Sequence, residues 1–151
     1  MKLLTHDLHD QVQSGDILFW RGHGAGAALI KKWTRSEWSH VGVAWVVDGM
    51  VLAIEARPFR PVGVVDLLTD SREEKPHWRQ MNIQWNKYIT QGLLRTTGDS
   101  YGWLDDVRVA FKLPPIGRGF QCAELVAFML KLAGRPYPTS PVPNDFAEPV
   151  E

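Results

Sequence analysis

The chain has 151 residues, 44% of them hydrophobic, which suits one globular domain able to bury about 70% of its unfolded surface. Its 17 basic and 17 acidic residues cancel, and neither sign forms a long run, so neither a counterion-driven nucleic-acid surface nor a polybasic membrane anchor is supported. The single cysteine forms no intramolecular disulfide, and no stretch has the apolar length of a signal peptide or a membrane span; the default expectation is a soluble cytoplasmic protein, which a phage-borne or released protein would also resemble.

In chain order, His6, Asp7, His9 and Asp10 lie near a terminus, where solvated side chains are the norm. With no other ligand cluster to complete a site of ordinary geometry, no metal or other cofactor is expected. Gly15-Asp16 reads as the entry turn of Ile17–Trp20, a short apolar run that suits a strand buried on both faces. Gly22, Gly24 and Gly26 look superficially like a phosphate loop, but no βαβ unit with a ribose-binding acid about twenty residues on accompanies them. Ala25, Ala28, Leu29 and Trp33 have the spacing of a short amphipathic helix, and Ser36 and Ser39 mark a loop.

Ser39–Val47 and Met50–Arg57 are runs rich in Val, Ile and Ala joined by Asp48-Gly49, the strongest two-residue hairpin signal. The turn sets Val47 opposite Met50, Ala44 opposite Ala53 and Gly42 opposite Glu55. Alternation then puts His40, Gly42, Ala44, Ala53 and Glu55 on one face and Val41, Val43, Trp45, Leu52 and Ile54 on the other. The second face is core. The first brings an imidazole and a carboxylate to diagonal positions, roughly 7 to 8 Å apart at the backbone and within reach of long side chains. Small residues beside them leave room for a helix to approach that face.

Val62–Leu67 and Trp78–Ile83 read as further strands, with Ser71–Pro76 between them as a solvated charged loop. A helix is expected from about Tyr88 to Gly98, and another from Asp99 or Ser100 to Pro114, with Trp103, Leu104, Val107 and Phe111 on its core face. Cys122 opens a helix running to Gly134. Leu125, Val126 and Met129 follow it at i+3, i+4 and i+7, so the thiol lies on a buried stripe. A lone buried cysteine is usually inert, yet the first turn of a helix also favours thiolate, through unpaired N–H groups and the macrodipole. The helix bearing Cys122 is the candidate to pack on the His40–Glu55 face, completing a Cys-His-carboxylate constellation. The proline-rich tail after Gly134 stays extended and docks through Phe146.

The order of these parts, Gly15-Asp16-Ile17-Leu18, then Ser39-His40-Val41-Gly42-Val43, then Ile54-Glu55-Ala56, and last Gln121-Cys122-Ala123-Glu124-Leu125-Val126, resembles the circularly permuted NlpC-type papain-like amidases and peptidases. It also resembles, more distantly, the lecithin:retinol acyltransferase group, from which it departs in having Ala123 after the cysteine and Glu55 where that group tends to have a second histidine. The resemblance implies one α+β domain over residues 1–151, a small antiparallel sheet or half-barrel packed against helices that include the nucleophile helix. By position, Cys122 matches the nucleophile, His40 the base and Glu55 the third polar residue. Gln121 is a candidate second oxyanion donor, and Trp20, Trp38 and Ser39 are candidate cleft residues, with Trp33 also in reach. The implied partner is an amide- or ester-containing acyl substrate, peptide or lipid, with neither nucleic acid nor an integral membrane segment involved. A silent ligand-binding module of the same fold and a plain structural domain with a core thiol are the competing readings.

Overall fold

The computed structural model describes residues 1–4, 10–58, 60–70, 72, 74–100 and 121–147, with the backbone alone for Trp33. Six strands, β1 (Lys2–Leu3), β2 (Ile17–Trp20), β3 (His40–Val47), β4 (Met50–Glu55), β5 (Gly63–Asp66) and β6 (His77–Arg79), form one antiparallel sheet in the order β1-β6-β2-β3-β4-β5. Three helices accompany it among the described residues: α1 (Ala25–Thr34), α2 (Lys87–Leu94) and α3 (Cys122–Leu132). The expected helix carrying Trp103 and Phe111 lies outside the described residues.

The β3–β4 hairpin has the register that its Asp48-Gly49 turn dictates, with Val47 paired to Met50 and Ala44 to Ala53. Asp48 and Gly49 both take positive φ, 49° and 77°, the backbone that a type I′ turn demands. Val41, Val43 and Ile54, with Ile17 and Phe19 of β2, pack against Leu125, Val126, Met129 and Leu130 of α3 and Ile89 and Leu93 of α2. Helix α2 is capped by Asn86, whose side-chain oxygen accepts from the N–H groups of Tyr88 and Ile89 at 2.9 and 3.2 Å.

The opposite face carries a second cluster, in which Leu18, Trp20, Ala44, Val51, Ala53 and Trp78 pack with Leu4, Val12 and Leu67. This corrects the sequence expectation for the cysteine helix. Helix α3 packs on the Val41–Val43–Ile54 face, because its Leu and Met stripe needs large apolar partners, and Gly42 and Ala44 offer none. The His40–Glu55 face is covered by chain that sequence periodicity leaves as loop. In the sheet order, β5 at one edge and β6 near the other are separated by β4, β3 and β2, so residues 67–70, 72 and 74–76 lie across the sheet. Their side chains show which face they cross: Leu67 joins the second cluster, the Arg72 guanidinium lies 4.4 Å from the Trp20 ring centre, and Glu74 accepts from the backbone N–H groups of Arg21 and Gly22.

Asp16 does more than enter a turn. It is buried, and its carboxylate oxygens accept from the N–H groups of Gln13 and Met81, both at 2.9 Å. Burial raises its pKa, while the two N–H groups oppose that rise. The Met81 bond also explains why β6 stops at Arg79 rather than running to Ile83: that N–H leaves the ladder for a side chain, and Asn82 turns to φ 50°. Gly15, at φ 93°, lies against the same segment; a Cβ there would sit 2.7 Å from that of Ile83. The tail docks as expected, with Phe146 buried in a 3₁₀ turn and its carbonyl accepting from Arg79 at 2.7 Å.

Candidate active site

His40 is the first residue of β3, and Glu55 the last of β4, so the hairpin itself brings them together at one end of the sheet. His40 Nε2 lies 2.7 Å from Glu55 Oε2. A carboxylate only accepts, so Nε2 carries the hydrogen of this bond and Nδ1 is left for another partner. Gly42 makes the approach possible. A Cβ at that position would lie 3.3 Å from the Glu55 Cβ, 3.2 Å from the Ile54 carbonyl oxygen and 3.4 Å from the Trp20 ring.

Glu55 is almost wholly buried, at 1% exposure, and its charge is fully matched. Arg72 donates through Nη1 to Oε2 at 3.0 Å and through Nη2 to Oε1 at 3.1 Å, the two-pronged geometry that makes guanidinium–carboxylate pairs strong. Arg57 donates to Oε1 through Nε at 2.6 Å and pairs with it again through Nη2. Asp70 holds Arg72 in place through a second ion pair. Burial would raise the Glu55 pKa, but the His40 hydrogen bond and the charges of His40, Arg72 and Arg57 overcome it and hold the carboxyl at about 2. Neither arginine was evident as a site residue in the sequence. Arg57 had a readable signal, since it stands two residues after Glu55 along the same extended line. Arg72 had none, because only the crossing from β5 to β6 over the sheet brings it there.

Cys122 reaches the same end of the sheet from the other side. It begins α3, is buried at 7% exposure, and belongs to the cluster containing Val41 and Trp38. Burial alone would lower the His40 pKa, but the neighbouring Cys122 and Glu55 side chains overcome it and raise it to about 9. The geometry therefore brings Cys122, His40 and Glu55 together around the end of β3, thiol on one side and carboxylate on the other.

Gln121 stands just before α3, where its backbone N–H donates to Glu124 at 2.9 Å. Its side-chain Nε2 is buried and has no hydrogen-bond partner among the described residues. Of the candidate cleft residues, Trp20 packs 5.1 Å from the His40 ring and lines a cavity with His40 and Ser39. Ser39 is tied down, its hydroxyl donating to the Arg21 carbonyl at 2.8 Å. Trp38 does not line that cavity; it is a core residue between Phe19 and His77, at ring distances of 5.4 and 5.1 Å.

No protein-family model matches the chain, and no curated protein matches it. Among solved structures, the crystal structure of the metalloprotein YiiX from Escherichia coli O157:H7 superposes with a TM-score of 0.61 at 22% identity, covering 82% of this chain and 67% of that one. The fold resembles that of YiiX. It is α+β, a six-stranded antiparallel sheet with three described helices. YiiX is described as a metalloprotein; in this chain no group of three or more His, Cys, Asp or Glu side chains is placed to hold a metal ion among the described residues. The His6–His9 stretch lies outside them. No described helix is long and apolar enough to cross a membrane.

Proposed function

We propose that the protein is a cysteine-dependent amidase or peptidase of the circularly permuted papain-like kind, with Cys122 as nucleophile, His40 as base and acid, and Glu55 as the group that orients the imidazole. The observation that carries this reading is the position of His40, hydrogen-bonded to a fully compensated carboxylate at 2.7 Å and adjacent to a cysteine at a helix start, with its pKa raised to about 9. An imidazolium held charged at neutral pH stabilises a neighbouring thiolate, which is the reactive form of the nucleophile.

The reaction then balances as follows. Cys122 Sγ attacks the acyl carbon, and the carbonyl oxygen becomes an oxyanion. The backbone N–H of Cys122, unpaired because it lies in the first helical turn, meets that charge. The unpartnered Gln121 Nε2 is suited to add a second donor. His40 gives its proton to the departing nitrogen, the C–N bond breaks, and a thioester remains on Cys122. Water then attacks the thioester, neutral His40 accepts the proton, the C–S bond breaks, and a carboxylic acid leaves with the ion pair restored.

Cell-wall peptides are the proposed substrate class. The test presents purified protein and its Cys122→Ala variant with stem-peptide amides, N-acyl amino acids and phospholipids in parallel, trapping the acyl-enzyme by mass spectrometry. An acyl adduct confined to Cys122, with product formed in water alone, is the expected outcome. A fatty-acyl adduct that turns over only when an amine or lysolipid acceptor is added would replace the amidase with a lipid acyltransferase.

A further inference from the structure

A cavity of about 330 Å³ opens against His40, walled by Trp20 and Ser39 on the sheet side and by Ala27 and Ile30 of α1, with Arg60 at its edge. Cys122 does not line it. Building on the proposed thioester chemistry, we infer that this cavity receives the leaving group, and that it fits an amine bearing an apolar side chain and a free carboxylate, the C-terminal apolar residue of a peptide or N-acyl amino acid.

The position follows from the proton. The fragment that departs is the one that takes a hydrogen from His40, so it must lie against the imidazole, whereas the acyl part stays bonded to the sulfur. A cavity that touches the base and not the nucleophile is on the leaving side. Its size, at the lower end of the roughly 300–1,000 Å³ range of ligand pockets, suits one residue rather than a long chain.

The chemistry follows from which polar groups already have partners. Arg57 and Arg72, which also line the cavity, are paired with the carboxylates of Glu55 and Asp70. The Glu74 carboxylate lines it too, but its oxygens accept from the Arg21 and Gly22 N–H groups at 2.7 and 2.8 Å. Arg60 has no ion-pair partner among the described residues and is exposed. One uncommitted guanidinium beside the apolar wall of Ala27, Ile30 and Trp20 matches one carboxylate on an apolar body.

The test compares kcat/KM for N-acetyl-leucine, N-acetyl-leucinamide, N-acetyl-glycine and phosphatidylethanolamine vesicles, with Cys122 acylation by a p-nitrophenyl ester as a separate readout of the thioester chemistry. The free acid of leucine should exceed its amide by about tenfold or more, the size expected of a charge-assisted contact, and should exceed glycine as well. Arg60→Gln should remove the preference for acid over amide, and Arg60→Glu should reverse it in favour of the amide. If Cys122 is acylated by the ester but wild type treats acid and amide alike, or prefers the vesicles, the leaving-group inference is overturned while the cysteine chemistry stands. If the ester does not acylate Cys122, both fail.

Discussion

Glu55 illustrates how one side chain can be both an orienting group and a structural hub. Its donors come from His40, Arg57 and Arg72, and replacing it by Ala would leave Arg57 unmatched and Arg72 with Asp70 alone next to the core. Breaking a buried pair from one side costs about 3–5 kcal/mol, so Glu55→Ala is expected to lose stability on that scale in urea titrations. Glu55→Gln keeps the shape and can still orient the ring, and should stay folded with reduced turnover. His40→Ala should stay folded and lose about a hundredfold or more of kcat, the range of a missing general base. Iodoacetamide labelling gives a second readout: wild type should react at pH 6, where an ordinary thiol near pKa 8.5 reacts slowly, and His40→Ala should not. A wild-type rate that needs denaturant would return Cys122 to the core. Gly42→Ala tests the close approach, because the added methyl presses on the Ile54 carbonyl, Glu55 and Trp20; activity should fall more than stability, as read by turnover against thermal midpoint.

At the scale of elements, what could be read in advance was local. The Asp48-Gly49 turn and the alternation around it were enough to place His40 and Glu55 on one face, because a hairpin's register depends only on neighbouring residues. The start of α3 at Cys122 was equally legible from its apolar spacing. The face that α3 covers was not, since that depends on matching one element's side-chain sizes to another's across the fold. The places of Arg72 and Glu74 were the largest omission: a run of charges usually means solvent, and here Arg72 reaches Glu55 and Glu74 holds this strap at Arg21 and Gly22. This makes a specific expectation for Arg72→Met. The Arg72 charge helps to depress the Glu55 pKa, so its removal should raise that pKa and move the acid limb of the activity profile to higher pH, with turnover down by about tenfold. A strap residue with only a packing role would lower activity without moving the limb.

For the whole molecule, the two titrations set a window of stability. Glu55 binds a proton less readily folded than unfolded, about 2 against 4.5, so its contribution is complete above pH 4.5 and is lost as pH falls toward 2. His40 binds one more readily folded, about 9 against 6.5, so its contribution is complete below pH 6.5 and is lost as pH rises toward 9. Urea midpoints should therefore be highest between about pH 4.5 and 6.5. A midpoint still rising from pH 6.5 to 9 would contradict the assigned His40 environment.

The sheet has one further consequence, because it stands between the thiol on α3 and the carboxylate beneath the strap. Each half of the site is anchored in its own apolar cluster, one built on Leu125 and Met129, the other on Trp20, Ala53 and Leu67. Local opening need not take both together, since cooperative units in a native protein can separate at different free energies. Amide exchange followed by mass spectrometry should therefore resolve two protection classes, α3 with α2 in one and the 67–76 segment in the other. Leu125→Ala should loosen the first by about 2–5 kcal/mol while the imidazole still reports its carboxylate partner in NMR titration. Inactivation by heat would then have two separable routes, one that withdraws the nucleophile and one that releases the base.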